Sequence, residues 1–134
     1  MCQLVNDKIH ILNTFKENLI LTPPEVEKQF GVRPDQMIDF LAITGDASDN
    51  VPGLPGFGPK TAIALLKEFD TLDNILDNPD KVPGKKKQDT IREDREKALI
   101  SRQLVTIDTA VEIPHDTAFY LIGEGEYEGL KEFY

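Results

Sequence analysis

Residues 53–62 read Gly-Leu-Pro-Gly-Phe-Gly-Pro-Lys-Thr-Ala. With Pro52 before them, they are too rich in glycine and proline for helix or strand, so they predict a tight loop. From Pro59 onward the apolar residues return at helical spacing. Ala62, Leu65, Leu66 and Phe69 make one stripe. Upstream, Pro34-Asp35 restarts a helix whose Met37, Ile38, Leu41 and Phe40 share a face, and Gly45 stops it. The centre of the chain is therefore predicted as helix, glycine hairpin, helix.

Such a hairpin has a chemistry of its own. Glycines allow positive φ and let another molecule approach the backbone. The start of the following helix leaves N–H groups unpaired and carries partial positive charge, which suits phosphate. Lys60 adds a full charge just inside the helix. Backbone donors do not read bases, so a nucleic acid held here would be held without regard to sequence. Two other glycine loops do not fit. The order Gly53-x-x-Gly56-x-Gly58 is not the G-x-G-x-x-G of dinucleotide sites, and Pro59 stands where a P-loop needs its lysine. The plain alternative is a Gly/Pro turn between two core helices.

Just before the hairpin, Thr44-Gly45-Asp46-Ala47-Ser48-Asp49-Asn50 carries two acids three residues apart. In a helical turn both carboxylates would project from one side. At a helix C-terminus the macrodipole is already negative, so the pair calls for a cation, and oxygen ligands suit Mg²⁺ or Mn²⁺. Two such ions can clamp the attacking and leaving oxygens of a phosphodiester. The alternative is that Asp49 and Asn50 simply turn the chain while Asp46 is solvated. The spacing is not that of a calcium EF-hand loop.

The flanks predict a mainly α domain with minor β at the N-terminal edge. Residues 4–12 alternate weakly, as one or two short strands around Asn6-Asp7, and Leu19-Ile20-Leu21 is a second strand candidate. Thr22, followed by Pro23, Pro24 and Glu25, has the pattern of a capped helix ending near Phe30-Gly31. A short helix is expected over Leu72–Leu76, and a long polar one over Lys85–Arg102 with a Glu93–Lys97 pair. Leu104–Ile107 and Val111–Ile113 could be strands or an extended tail, and residues 127–134 begin a helix. Phe15, Phe30, Phe40 and Phe69 are expected in the core rather than as stacking platforms.

With 134 residues and 40% of them hydrophobic, the chain has the size and composition of one ordinary soluble domain. No apolar run reaches membrane-span length, no secretory signal is visible, and the single cysteine, Cys2, cannot form an internal disulfide. A cytoplasmic home without membrane contact is expected. His10 and His115 lack ligand spacing. The net charge of −9 argues against nucleic acid if taken whole. Its distribution is uneven. Residues 81–102 hold eight bases (Lys81, Lys85, Lys86, Lys87, Arg92, Arg95, Lys97, Arg102) against four acids. Residues 111–134 hold six acids (Glu112, Asp116, Glu124, Glu126, Glu128, Glu132) against Lys131. The three lysines at 85–87 read either as a phosphate contact or as a solvated helix start.

The run from Asp39 to Gly53, continued by Pro55 to Ala62, resembles the 5′→3′ exonuclease domain of bacterial DNA polymerase I, of the 5′ nuclease and flap endonuclease family. It follows that family's GDxSDNxPGxxGxGxKTA signature almost residue for residue. Residues 23–34, residues 101–107 and Gln3-Leu4-Val5 agree with neighbouring family stretches, so the likeness covers roughly residues 3–114. The resemblance implies a SAM-like multi-helix domain with a helix–hairpin–helix (helix-three-turn-helix) motif. It implies Mg²⁺ or Mn²⁺ ligands in Asp46 and Asp49, and a hairpin for duplex phosphates in Gly56, Phe57, Gly58, Lys60 and Thr61. It also implies a K⁺ ion held by backbone carbonyls around Val51, Gly53, Gly56 and Gly58. The organisation it implies is a remnant of an upstream α/β nuclease domain over 1–22, the DNA-binding domain over 23–114, and an acidic tail with a truncated helix over 115–134. The family's other carboxylates would lie before Met1, so hydrolysis by this chain alone is not expected. The expected partners are duplex DNA or a 5′-flap junction, with nuclease and polymerase domains in the parent chain. The alternative is a helix–hairpin–helix module that docks onto protein, with residues 111–134 contributing charge.

Overall fold

The structure, a computed structural model, describes residues 1–123 and 127–133; of the acidic tail, Glu124, Gly125, Glu126 and Tyr134 lie outside the described residues. Its elements are β1 (Ile11–Asn13), β2 (Leu19–Leu21), α1 (Pro23–Phe30), α2 (Met37–Thr44), α3 (Pro59–Phe69), α4 (Leu72–Asp77), α5 (Lys85–Glu93), α6 (Arg95–Val105) and α7 (Tyr127–Phe133). The fold is mainly helical, as the sequence predicts. Among the described residues the sheet is one antiparallel pair, with Leu12 opposite Ile20.

Helix α2 is the centre. Met37, Phe40, Ala42 and Ile43 are buried on it, and it packs chiefly on α6, then on α3 and α4. Ile43, Leu66, Leu72, Ile75 and Ile91 are among the large fully buried side chains, so four successive helices, α2 to α5, put apolar atoms into one core. Proline at the first turn opens α1 and α3 at no hydrogen-bond cost, and Gly31, at φ +78°, ends α1. Gln36 locks α2 to the end of α3: its Nε2 donates to the Leu66 and Asp70 carbonyls, at 3.3 and 3.0 Å. The Leu72 amide, at the start of α4, donates to Asp39 Oδ2 at 2.9 Å.

Several expectations are corrected. The polar helix over Lys85–Arg102 is two helices, broken at Asp94. There Arg95 is tethered across the fold, donating to the Leu76 carbonyl at 2.6 Å and to Asp77 at 2.8 Å, and Lys97 pairs with Asp94 rather than Glu93. Leu104 and Val105 are the last turn of α6, not strand, whereas 111–113 is irregular, the extended alternative. Cys2–Leu4 forms a 3-10 turn, so of the 4–12 stretch only Ile11 and Leu12 pair, with Asn13, against the predicted Leu19–Leu21 strand. Thr22 caps α1 by backbone position without a side-chain bond. Phe15 sits at the tip of the β1–β2 turn, 99% exposed, whereas Phe40 is buried and Phe30 and Phe69 are half-buried.

Candidate nucleic-acid interface

The segment joining α2 to α3 is held from within at four points. Asp46 and Val51 exchange both backbone hydrogen bonds, at 3.1 and 2.8 Å, closing a tight turn over 47–50. The Gly53 amide donates to the buried hydroxyl of Ser101 on α6 at 3.0 Å. The Leu54 amide donates to the Ile43 carbonyl at 2.8 Å. Last, the side chains of Leu54 and Phe57 enter the core. Gly53 and Gly45 explain their own identity. Both have positive φ, and a Cβ on Gly53 would lie 2.4 Å from the Gly45 nitrogen. Two strands of backbone touch there with no room for a side chain.

The tip is different. Gly56, Gly58 and Lys60 are exposed, and a Cβ on Gly56 or Gly58 would meet nothing within 4 Å. Among the described residues, the amides of Gly56, Gly58 and Lys60 donate to no protein group. No side chain caps α3, and its first turn holds no acid. Phe57 differs from the expectation of a free amide: its N–H donates to the Leu54 carbonyl at 3.1 Å and its ring is buried. Its part is to anchor the hairpin. The Thr61 amide donates to the Gly58 carbonyl at 3.0 Å, leaving its half-buried side chain beside Lys60 in a shallow groove of about 220 Å³. Of the four carbonyls considered for K⁺, those of Val51 and Gly58 accept internal hydrogen bonds, whereas those of Gly53 and Gly56 accept none among the described residues.

All four arginines are tied to aspartates: Arg33 to Asp35 and Asp70, Arg92 to Asp80 and Asp89, Arg95 to Asp77, Arg102 to Asp73. Hydrogen bonds from Arg33 hold the Asp35 carboxyl below its ordinary pKa. Lys60, Lys85, Lys86 and Lys87 form no such pair among the described residues.

Asp46 and Asp49 do not lie on a helix, because α2 ends at Thr44 and the chain turns through Asn50 at φ +56°. They nevertheless share one cleft of about 350 Å³. The Ser48 amide donates to Asp46 Oδ1 at 2.9 Å. Met1 and Gln3 line the same cleft, and Gln3 is fastened to the end of α6 by bonds to the Val105 carbonyl, at 2.8 Å, and from the Ile107 amide, at 3.1 Å. The meeting of residues 1–3 with the aspartates is not visible in the sequence. Nor is the part of Ser101, which looks like any polar residue of a surface helix. Among the described residues, no group of three or more histidine, cysteine or acidic side chains converges as a metal site.

A rigid glycine hairpin between two packed helices, with its free amides and an unpaired lysine turned outward, defines a helix–hairpin–helix domain. The chain belongs to the 5′-3′ exonuclease family: the family model for its C-terminal SAM fold matches residues 32–127. DNA polymerase I of Bacillus subtilis (strain 168) is 42% identical over 112 residues, which is 81% of this chain and 13% of that protein. A 5′-3′ exonuclease of Buchnera aphidicola (subspecies Schizaphis graminum) is 48% identical over 82 residues, 61% of this chain and 28% of that protein. The chain thus spans a small part of the length of these relatives. Among solved structures, the bacteriophage T5 5′-exonuclease with bound zinc ions aligns with a TM-score of 0.68 at 27% identity, covering 77% of this chain and 38% of that one. A T5 flap endonuclease in a pseudo-enzyme-product complex with DNA and metal ions aligns with the same score, identity and coverage. No helix among the described residues is long and apolar enough to cross a membrane.

Proposed function

We propose that this chain grips duplex DNA, independently of sequence, through the 53–62 hairpin, as the C-terminal part of a DNA polymerase I-type 5′→3′ exonuclease or flap endonuclease. The observation that carries the reading is the set of outward, unbonded amides at Gly56, Gly58 and Lys60, held rigidly by Phe57 and Leu54. Phosphate oxygens are acceptors of the right charge for such donors, with the Lys60 ammonium and Thr61 hydroxyl beside them. The likeness to a T5 flap endonuclease in complex with DNA and metal ions supports DNA as the ligand.

The metal reading rests on Asp46 and Asp49. Two carboxylates in one cleft fit part of a Mg²⁺ or Mn²⁺ shell and not a whole one. In the complete nuclease they would hold the ion together with carboxylates from upstream, and Met1 and Gln3 line the cleft on that side. The ion would supply charge stabilisation to the phosphodiester. The Gly53 and Gly56 carbonyls are the open oxygens for a K⁺ at the hairpin, next to those of Val51 and Gly58. Residues 1–22 read as the edge of an α/β nuclease domain. Leu12 and Ile20 lie opposite each other on β1–β2, 58% and 52% exposed, an apolar face that a larger sheet domain would cover. Residues 23–114 form the gripping domain and 115–134 the acidic tail, in a cytoplasmic protein whose polymerase domain follows.

Fluorescence anisotropy with a short duplex tests the reading. Binding weakens with salt, Lys60→Ala and Gly58→Val reduce it, and duplexes of unrelated sequence bind equally. Affinity that is unchanged by salt or by both substitutions removes the hairpin as the contact. Incubation of the chain with a 5′-flap substrate and Mg²⁺ leaves the substrate intact, since the carboxylate set is incomplete.

A further inference from the structure

We infer that the hairpin is one of two phosphate contacts, and that Lys86 and Lys87 of α5 make the second, on the same duplex backbone. This rests on the hairpin reading and extends it. Lys87 lines the groove that holds Lys60 and Thr61, and it also lines a second groove of about 360 Å³ that holds Gly56, Gly84 and Lys86. The two grooves meet at Pro83 and Lys87, so the surface beside Gly56 runs without a break from α3 to α5. Its charge is one-sided. Lys60, Lys86 and Lys87 line it, none paired with a carboxylate among the described residues, against Glu68 alone. Elsewhere the chain neutralises its arginines with aspartates, while Lys8, Lys16, Lys67 and Lys81, also without a pair among the described residues, do not line this surface. Three consecutive lysines in the first turn of α5, with no acid there and a glycine at the cap, oppose the helix dipole. An anion in the groove removes that conflict, and a polyanion with regularly spaced charges occupies both halves at once. The chain's overall charge of −9 then describes its other faces and not this one.

The test is the salt dependence of duplex binding by the 134-residue chain. Each phosphate neutralised contributes about 0.9 to the slope of log K against log salt. Lys86→Ala and Lys87→Ala each flatten the slope by about 0.9, as Lys60→Ala does, and Lys87→Arg restores it. Lys16→Ala, on the exposed β1–β2 turn, removes the same charge without flattening the slope. Circular dichroism confirms that each variant is folded. If Lys60→Ala weakens binding while Lys86→Ala and Lys87→Ala behave as Lys16→Ala does, the second contact is wrong and the hairpin stands. If the lysines of α5 matter and Lys60 does not, the continuous surface is wrong. If the unaltered chain binds no duplex, both fall.

Discussion

Gly53→Ala separates the two kinds of glycine in the hairpin. The new Cβ would sit 2.4 Å from the Gly45 nitrogen, 2.7 Å from the Thr44 carbonyl carbon and 2.8 Å from the Ile43 oxygen, all of them backbone atoms that cannot swing away. Alanine at the observed φ of +63° costs about 1–2 kcal/mol before any clash. Relieving the clash means parting the two backbone strands, which breaks the Gly53–Ser101 and Leu54–Ile43 hydrogen bonds. Each buried group left without a partner costs about 1–3 kcal/mol. The sum is about 3–8 kcal/mol, against about 5–15 kcal/mol for the whole domain. Gly56→Ala has the same backbone handicap at φ +79° but nothing within 4 Å, so it costs only about 1–2 kcal/mol. At about 3–5 °C per kcal/mol for a domain of this size, Gly56→Ala melts a few degrees lower, and Gly53→Ala loses 10 °C or more, or fails to fold. Urea and thermal unfolding followed by circular dichroism read the difference. Equal losses for the two substitutions would refute the claim that Gly53 is required by contact and Gly56 only by turn geometry.

Three further outcomes follow from the packing. Ser101→Ala leaves the Gly53 amide without its buried acceptor and lowers stability by about 1–3 kcal/mol in urea, while conferring no clash; a neutral result means water reaches that site. Ile75→Ala empties a fully buried position where α4 meets the core, and a loss of about 2–5 kcal/mol is expected by the same measurement. Burial raises the Asp39 carboxyl above its ordinary pKa, and the hydrogen bond from Leu72 and the attraction of Arg102 only partly oppose this. A raised folded pKa contributes stability that is full below the unfolded value and is lost as pH rises through the folded one. Asp39→Asn keeps an acceptor for the Leu72 amide and has no charge to desolvate. Its urea midpoint should therefore exceed that of the unaltered chain at pH 7, with the gap closing toward pH 3. A gap of the opposite sign at pH 7 would show that the Arg102 attraction outweighs burial.

Most of the helices could be read from local signals, because those signals act locally. Pro23, Gly31, Gly45, Pro59 and the stripe of Ala62, Leu65 and Leu66 fall where the helices begin, end and face inward. The hairpin's outline was equally plain, since only a glycine-rich turn lets a chain reverse between α2 and α3. What failed were elements whose fate depends on a distant partner. The polar helix after Gly84 breaks at Asp94, beside an Arg95 held by α4 across 18 and 19 positions of sequence. Phe15 has the composition of a core residue and no core within reach.

The candidate sites divide in the same way. Sequence alone determined which residues could bind phosphate or a divalent ion, because glycine freedom, a helix start and paired carboxylates are properties of neighbours in the chain. Tertiary structure alone decided which of them are available. It turned Phe57 inward, spent the Gly53 amide on Ser101, and left Gly56, Gly58 and Lys60 open. It also brought Gln3 to the Asp46–Asp49 cleft and Lys87 to the groove of Lys60. The physical reason is that burial and hydrogen-bond satisfaction are settled by the whole packed core, and a donor is free for a ligand only if no partner from elsewhere in the chain has already taken it.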